Sequence, residues 1–148
     1  MRLVIQRTAQ ARVVVDGRII AEIGAGMLIL AGIACSDSRT DAEYLAKRVP
    51  ELRIFADDIG KMNLDLRQVA GSVLIIPNFT LCADWSRGRR PAFDAAARPE
   101  VAKPLFEYLI ELFMNKGIPT KTGLFGADMR VELVNDGPVS FVLDSTSR

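Results

Sequence analysis

Runs and alternations of apolar residues predict β-strands along much of the chain. Residues 27–33 are apolar throughout, and a second run at residues 73–76 leads into Pro77. Both are typical of strands buried on two faces. Asp16-Gly17 lies between two β-branched runs and predicts a two-residue hairpin turn. Residues 53–55 predict a short strand, and the alternation at residues 129–133 predicts a half-exposed strand near the C-terminal end.

Two stretches have the period of an amphipathic helix. The first has capping-box spacing at Thr40 and Glu43, and its apolar residues recur at helical intervals until Pro50, which should end or kink it. The second begins near Pro99 and closes at residues 115–117. Its predicted buried face consists of Val101, Leu105, Tyr108, Leu109 and Leu112. Together these patterns predict a single α/β domain over residues 1–148, with many strands and two main helices.

The stretch at residues 133–143, LVNDGPVSFVL, places Gly137-Pro138 inside an otherwise strand-like run. Proline has no N–H to give to a strand ladder, and glycine weakens a strand. The local sequence favours a turn between two strands. The alternative is a backbone feature directed at a ligand.

Composition restricts the chemistry further. The chain has 148 residues, 49% of them hydrophobic, and a net charge of +1, so no global field attracts it to nucleic acid. It contains no histidine, which removes the usual general base and every imidazole metal site. An enzyme with this composition must use carboxylates, hydroxyls, lysines, backbone groups or the substrate itself.

The location and the cysteines are also predicted from composition. No apolar run is long enough to cross a bilayer, and residues 1–7 turn polar too soon for a signal peptide, so we expect a cytoplasmic protein without a membrane partner. Cys35 and Cys82 lie among apolar residues and are expected to be buried as small hydrophobes. A disulfide or a metal pair is the less favoured interpretation.

Three segments are candidates for a site. In the first, Pro77 forces an irregular strand end, beside which Asn78 and freed backbone N–H groups could hold an anion; a simple bulge with a β-favouring Thr80 is the alternative. The second joins an aromatic residue to three arginines and could bind phosphates and stack on a base, or be a solvated loop: Trp85, Arg87, Arg89 and Arg90. The third, residues 123–129, has paired glycines that suit a ligand or a turn equally well.

Four motifs together resemble the D-aminoacyl-tRNA deacylases: residues 77–81, PNFTL; residues 86–91, SRGRRP; residues 125–129, FGADM; and residues 133–140, LVNDGPVS. The resemblance extends in order from Met1 to about Asp144. It implies a homodimer with β/β/α layers, built from mixed, largely antiparallel sheets and two main helices. It also implies hydrolysis of the ester that joins a D-amino acid, or glycine, to the tRNA 3′ adenosine, with no cofactor, no metal and no DNA partner.

The same resemblance implies roles for individual residues. The Phe79 N–H would lie in an oxyanion hole with Asn78 as a side-chain donor, and the tRNA 2′-hydroxyl would assist the attacking water. Thr80 matches a threonine proposed as a nucleophile in the family, but because the chain has no histidine to activate it, we favour a positioning role. Gly137-Pro138 would be cis and reach into the partner subunit's site, where it excludes L side chains. The tRNA would be bound by Arg87, Arg89 and Arg90, and the supporting residues would be Arg7, Phe125 and Met129.

The chain departs from the family pattern at two places. Pro77-Asn78 stands where most members have Ser-Gln, and Ser140 stands where they have threonine. A proline at this point is similar to animal relatives that remove L-alanine from mischarged tRNA. The alternatives are therefore a relaxed deacylase for a small L-aminoacyl-tRNA, or a tRNA-binding dimer without catalysis.

Overall fold

The fold is known from a computed structural model that describes residues 1–86 and 88–147. Its strands are β1 (Arg2–Val15), β2 (Arg18–Ile23), β3 (Gly26–Gly32), β4 (Phe55–Ala56), β5 (Met62–Leu64), β6 (Ser72–Pro77), β7 (Thr120–Thr122) and β8 (Arg130–Asp144). The two α-helices are α1 (Arg39–Arg48) and α2 (Pro99–Asn115), and 3₁₀ turns cover Val49–Glu51 and Phe79–Cys82. We call the second of these turns the Phe79 turn.

One large sheet has the strand order β2-β1-β3-β6-β7, with β8 paired to the other edge of β1. Strand β1 pairs antiparallel with β2, β3 and β8, whereas β3, β6 and β7 run parallel to one another. Because β3 pairs with the first half of β1 and β2 with its second half, the sheet bends, and β2 contacts β6 and β7 across the fold. The prediction of mixed, largely antiparallel sheets is confirmed.

Two apolar cores explain why β3 and β6 are apolar on both faces. Met27, Ile29 and Ile75 face α1 and α2, which pack against each other on one side of the sheet. Leu28 and Leu74 face the opposite way, into a smaller core beneath the bent part of the sheet. The result is a β/β/α arrangement of layers with both strands buried, as the unbroken apolar runs predicted.

The hairpin and both helices are present where the sequence placed them, with two corrections. Asp16 and Gly17 have φ values of 48° and 75°, which the predicted two-residue turn requires. The cap of α1 is Ser38 rather than Thr40, because the Asp41 carboxylate accepts the Ser38 N–H at 2.8 Å. Ser38 and Asp41 have the same three-residue spacing as the predicted pair, Thr40 and Glu43, so the local sequence could not decide between the two pairs.

The buried face of α2 also differs from the prediction. Val101 is 53% exposed, whereas Ala102, Phe106 and Phe113 belong to the core together with the correctly predicted Leu105 and Leu109. The predicted stripe was wrong at its first residue because a helix rich in apolar side chains offers more than one plausible face. Cys35 is exposed in the loop before α1, and Cys82 is partly buried, so the expectation that both are buried was wrong.

The segment that contains Gly137-Pro138 is not a turn between two strands. β8 runs through it as one strand, pairing with β1 at Thr8–Asn135 and again at Gln6–Ser140. Two steps along β1, from Thr8 to Gln6, therefore correspond to five steps along β8, from Asn135 to Ser140. The intervening residues 136–139 bulge out of the ladder. The turn interpretation was wrong, because pairing with a distant strand outweighs the local turn preference. No helix within residues 1–86 and 88–147 is both long enough and apolar enough to span a membrane.

We predict that Phe113→Ala lowers the free energy of unfolding by about 3–5 kcal/mol, because the ring is fully buried in the larger core. Val101→Ala on the same helix is the matched control and should change it by less than about 0.5 kcal/mol. Denaturant unfolding at one fixed protein concentration measures both. A larger loss for Val101→Ala than for Phe113→Ala would mean that α2 is rotated toward the face predicted from the sequence.

Candidate active site

A cavity of about 670 Å³ lies where β3 and β6 end, between α2 and the segment that precedes β8. Its walls bring together two of the three candidate segments: Pro77, Asn78 and Phe79 from the first, and Phe125 and Met129 from the third. None of the described residues that line it is ionisable. An apolar pocket of this size with a few polar groups at its edge is typical of a small-molecule site.

The strand end that leads to the pocket is shaped by Pro77 and Asn78. Pro77 is the last residue of β6 to pair with β3, and the Asn78 N–H then donates to the Ala31 carbonyl at 2.8 Å. The Asn78 side-chain Oδ1 accepts the Thr80 N–H at 3.1 Å and the Thr80 hydroxyl at 2.5 Å, which makes Asn78 the cap of the Phe79 turn. The Asn78 NH₂ group makes no hydrogen bond to any residue that the structure describes.

Phe79 supplies both a backbone donor and an aromatic wall. Its N–H is the first amide of the turn, which has no carbonyl within the turn to bond, and it has no hydrogen-bond partner among residues 1–86 and 88–147. The residue is 58% exposed, and its ring packs edge-to-face on that of Phe93, with ring centroids 5.0 Å apart. An unpaired amide at the edge of an apolar pocket is suited to a developing negative charge on oxygen.

The Phe79 turn is held against β3 by residues that the sequence analysis did not select. A Cβ atom on Gly32 would lie 2.7 Å from the Leu81 Cβ, so only glycine allows the turn to approach this closely. Arg2 donates to the Leu81 carbonyl at 2.8 Å and pairs with Asp144 at 3.1 Å. The only available signal was a glycine at the end of an apolar run, which is too common to identify a site.

The opposite wall of the pocket is formed by Phe125 and Met129. The Phe125 ring lies 6.1 Å from the Phe106 ring of α2, measured between centroids. The Met129 sulfur lies 2.7 Å from where a Cβ on Gly123 would be, which explains the glycine at this position. The paired-glycine segment therefore packs the wall rather than forming a separate site.

Gly137-Pro138 does not line the cavity of its own chain. Both residues are exposed in the bulge of β8, and the peptide bond between them is cis, as predicted. The Arg7 Nε donates to the Asp136 carbonyl at 3.0 Å and lies 3.0 Å from the Asp136 carboxylate, while an Nη of Arg7 donates to the Ile54 carbonyl at 2.6 Å. The guanidinium of Arg7 thus joins the bulge to the body of the protein.

A second side chain, that of Asn135, closes the bulge from within. Its Oδ1 accepts the Val139 N–H at 2.9 Å, and its Nδ2 donates to the Val139 carbonyl at 3.3 Å. In the sequence Asn135 is one residue of the motif at residues 133–140, and nothing there indicates a role of its own. An asparagine that hydrogen-bonds backbone a few residues away is a recognisable local signal, but the residue it contacts became clear only in the fold.

The arginine-rich loop extends from the end of the Phe79 turn. Its base is a two-residue bridge in which Asp84 and Ala92 exchange backbone hydrogen bonds of 2.8 and 2.7 Å. The Ser86 N–H donates to the Asp84 carboxylate at 2.9 Å, and this bond lowers the pKa of Asp84. Arg89 and Arg90 are exposed, and the predicted site residue Arg87 lies outside the described residues.

The sequence and the fold are both similar to those of known proteins. A sequence model of the family described as D-Tyr-tRNA(Tyr) deacylase matches residues 4–144. A D-aminoacyl-tRNA deacylase of Geobacter sulfurreducens is 51% identical over 148 residues, which cover 100% of this chain and 97% of the relative.

Two solved structures are similar to this fold. One, a c-Myc DNA Unwinding Element Binding Protein, has a TM-score of 0.92 at 33% identity and covers 97% of this chain and 98% of its own. The other, a probable eukaryotic D-amino acid tRNA deacylase, has a TM-score of 0.84 at 14% identity. The match covers 96% of this chain and 97% of the other. At that identity the second likeness concerns the fold alone.

We predict that Gly32→Ala lowers the free energy of unfolding by about 1–3 kcal/mol, because the new methyl group must push the Phe79 turn away from β3. Gly24→Ala is the matched control, since a Cβ there meets no atom within 4 Å. Denaturant unfolding of both variants checks the stability, and a crystal structure of Gly32→Ala checks the displaced turn. Equal stability of the two variants with an unmoved turn would contradict this account of Gly32.

Proposed function

The chain belongs to the D-Tyr-tRNA(Tyr) deacylase family, and from this premise we propose that it removes D-amino acids from tRNA in the cytoplasm as a chiral proofreading enzyme. It is a hydrolase of the aminoacyl-tRNA ester. The observation that carries the proposal is the unpaired Phe79 N–H at the edge of a pocket whose described walls have no ionisable side chain. Such a site can stabilise an oxyanion but offers no general base of its own.

In the proposed complex the terminal adenosine of the tRNA occupies the apolar pocket. Its base would lie between the Phe125 and Met129 wall and the edge-to-face pair of Phe79 and Phe93. The ester on the adjacent ribose then comes close to the Phe79 N–H. The Asn78 NH₂, left unused by the cap, would be a second donor to the same carbonyl oxygen.

The proposed reaction uses the activated ester and the substrate's own hydroxyl. A water oxygen forms a bond to the carbonyl carbon, and the negative charge that develops on the carbonyl oxygen is held by the two donors. The bond to the ribose 3′-oxygen then breaks, and the proton lost by the water passes through the 2′-hydroxyl to that leaving oxygen. Free D-amino acid and tRNA are released, and no group of the protein has to change its protonation state.

Thr80 is assigned to positioning. Its hydroxyl donates a hydrogen bond to the Asn78 Oδ1 at 2.5 Å, and an amide oxygen is too weak a base to remove that proton and activate the hydroxyl as a nucleophile. Thr80 is exposed beside the pocket and is absent from its walls. We infer that it holds the Asn78 amide in the orientation that directs the NH₂ group toward the ester.

We further propose that the active unit is a homodimer of two copies of the single domain at residues 1–148. Within the described part of the chain β8 pairs only with β1, so its outer edge is open there. Apolar side chains are exposed along β8: Val134, Phe141 and Val142. Gly137-Pro138 lies exposed in the same strand and away from its own pocket. In a dimer built on this edge the bulge would enter the partner subunit's pocket.

Chiral selection in this proposal comes from the rigid bulge. The carbonyl groups of Gly137 and Pro138 would face the substrate α-carbon and occupy the space that an L side chain needs, while a D side chain points elsewhere and glycine has none. Arg7 and Asn135 hold the bulge in place through bonds to backbone groups. Because backbone positions are fixed by both neighbours, they exclude a side chain more strictly than a flexible side chain would.

One observation favours a second candidate function. Pro77 lines the pocket at the position where most relatives have serine, and proline cannot donate a hydrogen bond there. A relaxed deacylase for a small L-aminoacyl-tRNA, such as L-alanyl-tRNA, is therefore the alternative. A dimer that binds tRNA without cleaving it is the other.

A deacylation panel tests these functions. D-tyrosyl-, glycyl-, L-alanyl- and L-tyrosyl-tRNA are each incubated with the purified full chain, and release of the amino acid is followed with time. We expect rapid loss of D-tyrosine, slower loss of glycine, and no loss of L-tyrosine. Faster cleavage of L-alanyl- than D-tyrosyl-tRNA would support the relaxed deacylase, and binding without cleavage of any substrate would support the non-catalytic dimer.

We predict that Thr80→Ala keeps at least about a tenth of the wild-type rate with D-tyrosyl-tRNA, because no covalent step passes through the hydroxyl and removing one true oxyanion donor would cost about 10²–10³. Single-turnover deacylation measures the rate. Rapid quenching followed by mass spectrometry provides the control. An aminoacyl ester found on Thr80 would overturn the positioning role.

We predict that Arg7→Lys lowers the preference for D- over L-tyrosyl-tRNA by about tenfold or more, because a lysine cannot bond the Asp136 and Ile54 carbonyls together and the bulge shifts. The ratio of kcat/KM for the two substrates measures the preference. Arg12→Lys is the matched control, since Arg12 on the same strand pairs with Glu132 at 2.6 Å outside the bulge. Equal ratios in both variants would remove Arg7 from chiral selection.

A further inference from the structure

Trp85 is an exposed aromatic side chain that neither the fold nor the proposed reaction uses. It is the only tryptophan of the chain and is 77% exposed. Among the described residues its ring makes no contact with another aromatic ring or with a cation. A single exposed aromatic side chain is common on protein surfaces, so a partner for Trp85 has to be inferred from the groups around it.

Trp85 lies at the base of a loop that also contains a residue of the pocket wall. It directly follows Asp84, which forms the bridge with Ala92, and the next residue after Ala92 is Phe93, a wall of the pocket. Two chain steps and one antiparallel bridge separate the Cα atoms of Trp85 and Phe93, a reach of at most about 13 Å. The bridge and the bond from Ser86 to Asp84 fix the start of the loop where Trp85 emerges.

The charges of the same loop indicate what kind of partner fits. Arg89 and Arg90 are exposed on it, while the whole chain has a net charge of only +1. Two copies of the loop would repel each other, so the same loop of a second copy is disfavoured as the partner of Trp85. An exposed aromatic ring beside arginines, near a pocket for a nucleoside, is the combination that binds unpaired nucleotides by stacking and phosphate contact.

We propose that Trp85 stacks on the base of one of the unpaired cytidines that precede the terminal adenosine of tRNA. This inference rests on the proposed function, because it takes the pocket beside Phe93 as the place of that adenosine. The stacked base fixes the direction in which the 3′ end enters, so that the ester meets the Phe79 N–H. Arg89 and Arg90 bind phosphates of the same strand without reading its sequence.

The fluorescence of the full-length protein tests the contact, since all tryptophan emission comes from Trp85. The probe is the RNA trinucleotide 5′-CCA-3′, which requires no turnover. We expect the trinucleotide to quench the emission. Adenosine alone should leave it nearly unchanged, and so should a trinucleotide in which both cytosine bases are replaced by abasic sites. Unchanged emission with the intact trinucleotide would overturn the proposal, as would emission that changes with protein dilution but not with RNA.

Affinity for uncharged tRNA is the second measurement. Trp85→Ala should weaken binding about tenfold, and Trp85→Phe should restore most of the loss, because stacking needs a flat ring and not an indole. Ile59→Ala, at a side chain that is 75% exposed on another loop, is the matched control and should bind as the wild type does. Equal affinity of Trp85→Ala and Ile59→Ala would contradict the proposal.

The salt dependence separates stacking from charge. Trp85→Ala should leave the slope of log affinity against log salt unchanged, whereas Arg89→Gln should lower it by about one. The fate of the proposed function is decided independently by the deacylation panel. Cleavage of D-tyrosyl-tRNA without quenching defeats the stacking alone, and quenching without cleavage of any aminoacyl-tRNA supports the stacking and defeats the deacylase.

Discussion

The contact between the Phe79 turn and Gly32 is the constraint on which the site depends. β6 ends at Pro77, and the chain must leave the sheet at once, yet the turn that follows lies directly on the end of β3 because Gly32 has no side chain. Asn78 then caps the turn through its oxygen, and the Phe79 amide is left without a partner in the described part of the chain. Each of these features loses its geometry if the turn moves outward.

The long antiparallel pair of β1 and β8 has the same importance for the chiral selection that we propose. It fixes residues 136–139 at both ends, and Arg7 and Asn135 bond the backbone between those ends. The pocket and the bulge are thus built on different strands of one sheet and are rigid for different reasons. A pocket completed by a neighbouring copy, as we propose, needs both parts to be rigid before the subunits meet, since ordering either part on binding would reduce affinity.

The sequence predicted most of what depends on near neighbours. The Asp16-Gly17 turn and the two buried strands follow from adjacent residues, and the absence of histidine already excluded an imidazole base, although it left carboxylates and lysines open. The cap of α1 was misplaced because Ser38 and Asp41 have the same spacing as Thr40 and Glu43. Gly137-Pro138 was first taken for a turn because nothing local signals a partner strand more than a hundred residues away.

Contacts between distant segments account for the rest. Gly32 meets Leu81, Arg7 meets Asp136, and Phe93 meets Phe79, and none of these pairs leaves a pattern in its own neighbourhood. The resemblance to a family supplied the candidate residues Asn78, Phe79 and Thr80, but it did not indicate that the Asn78 oxygen is used for a cap. Only the folded chain shows that the Asn78 oxygen caps the Phe79 turn, which leaves the NH₂ group for a ligand.

The use of a main-chain amide, that of Phe79, has a consequence for how the proposed site tolerates substitution. A side-chain catalyst can be deleted by many single codon changes, but a main-chain N–H persists under every substitution at its own position except proline. The same is true of the carbonyl groups of Gly137 and Pro138, which every amino acid carries. The site that we propose would therefore be impaired chiefly by changes in chain path, so substitutions at the glycines, caps and braces around it should affect it more than substitutions at Phe79 itself.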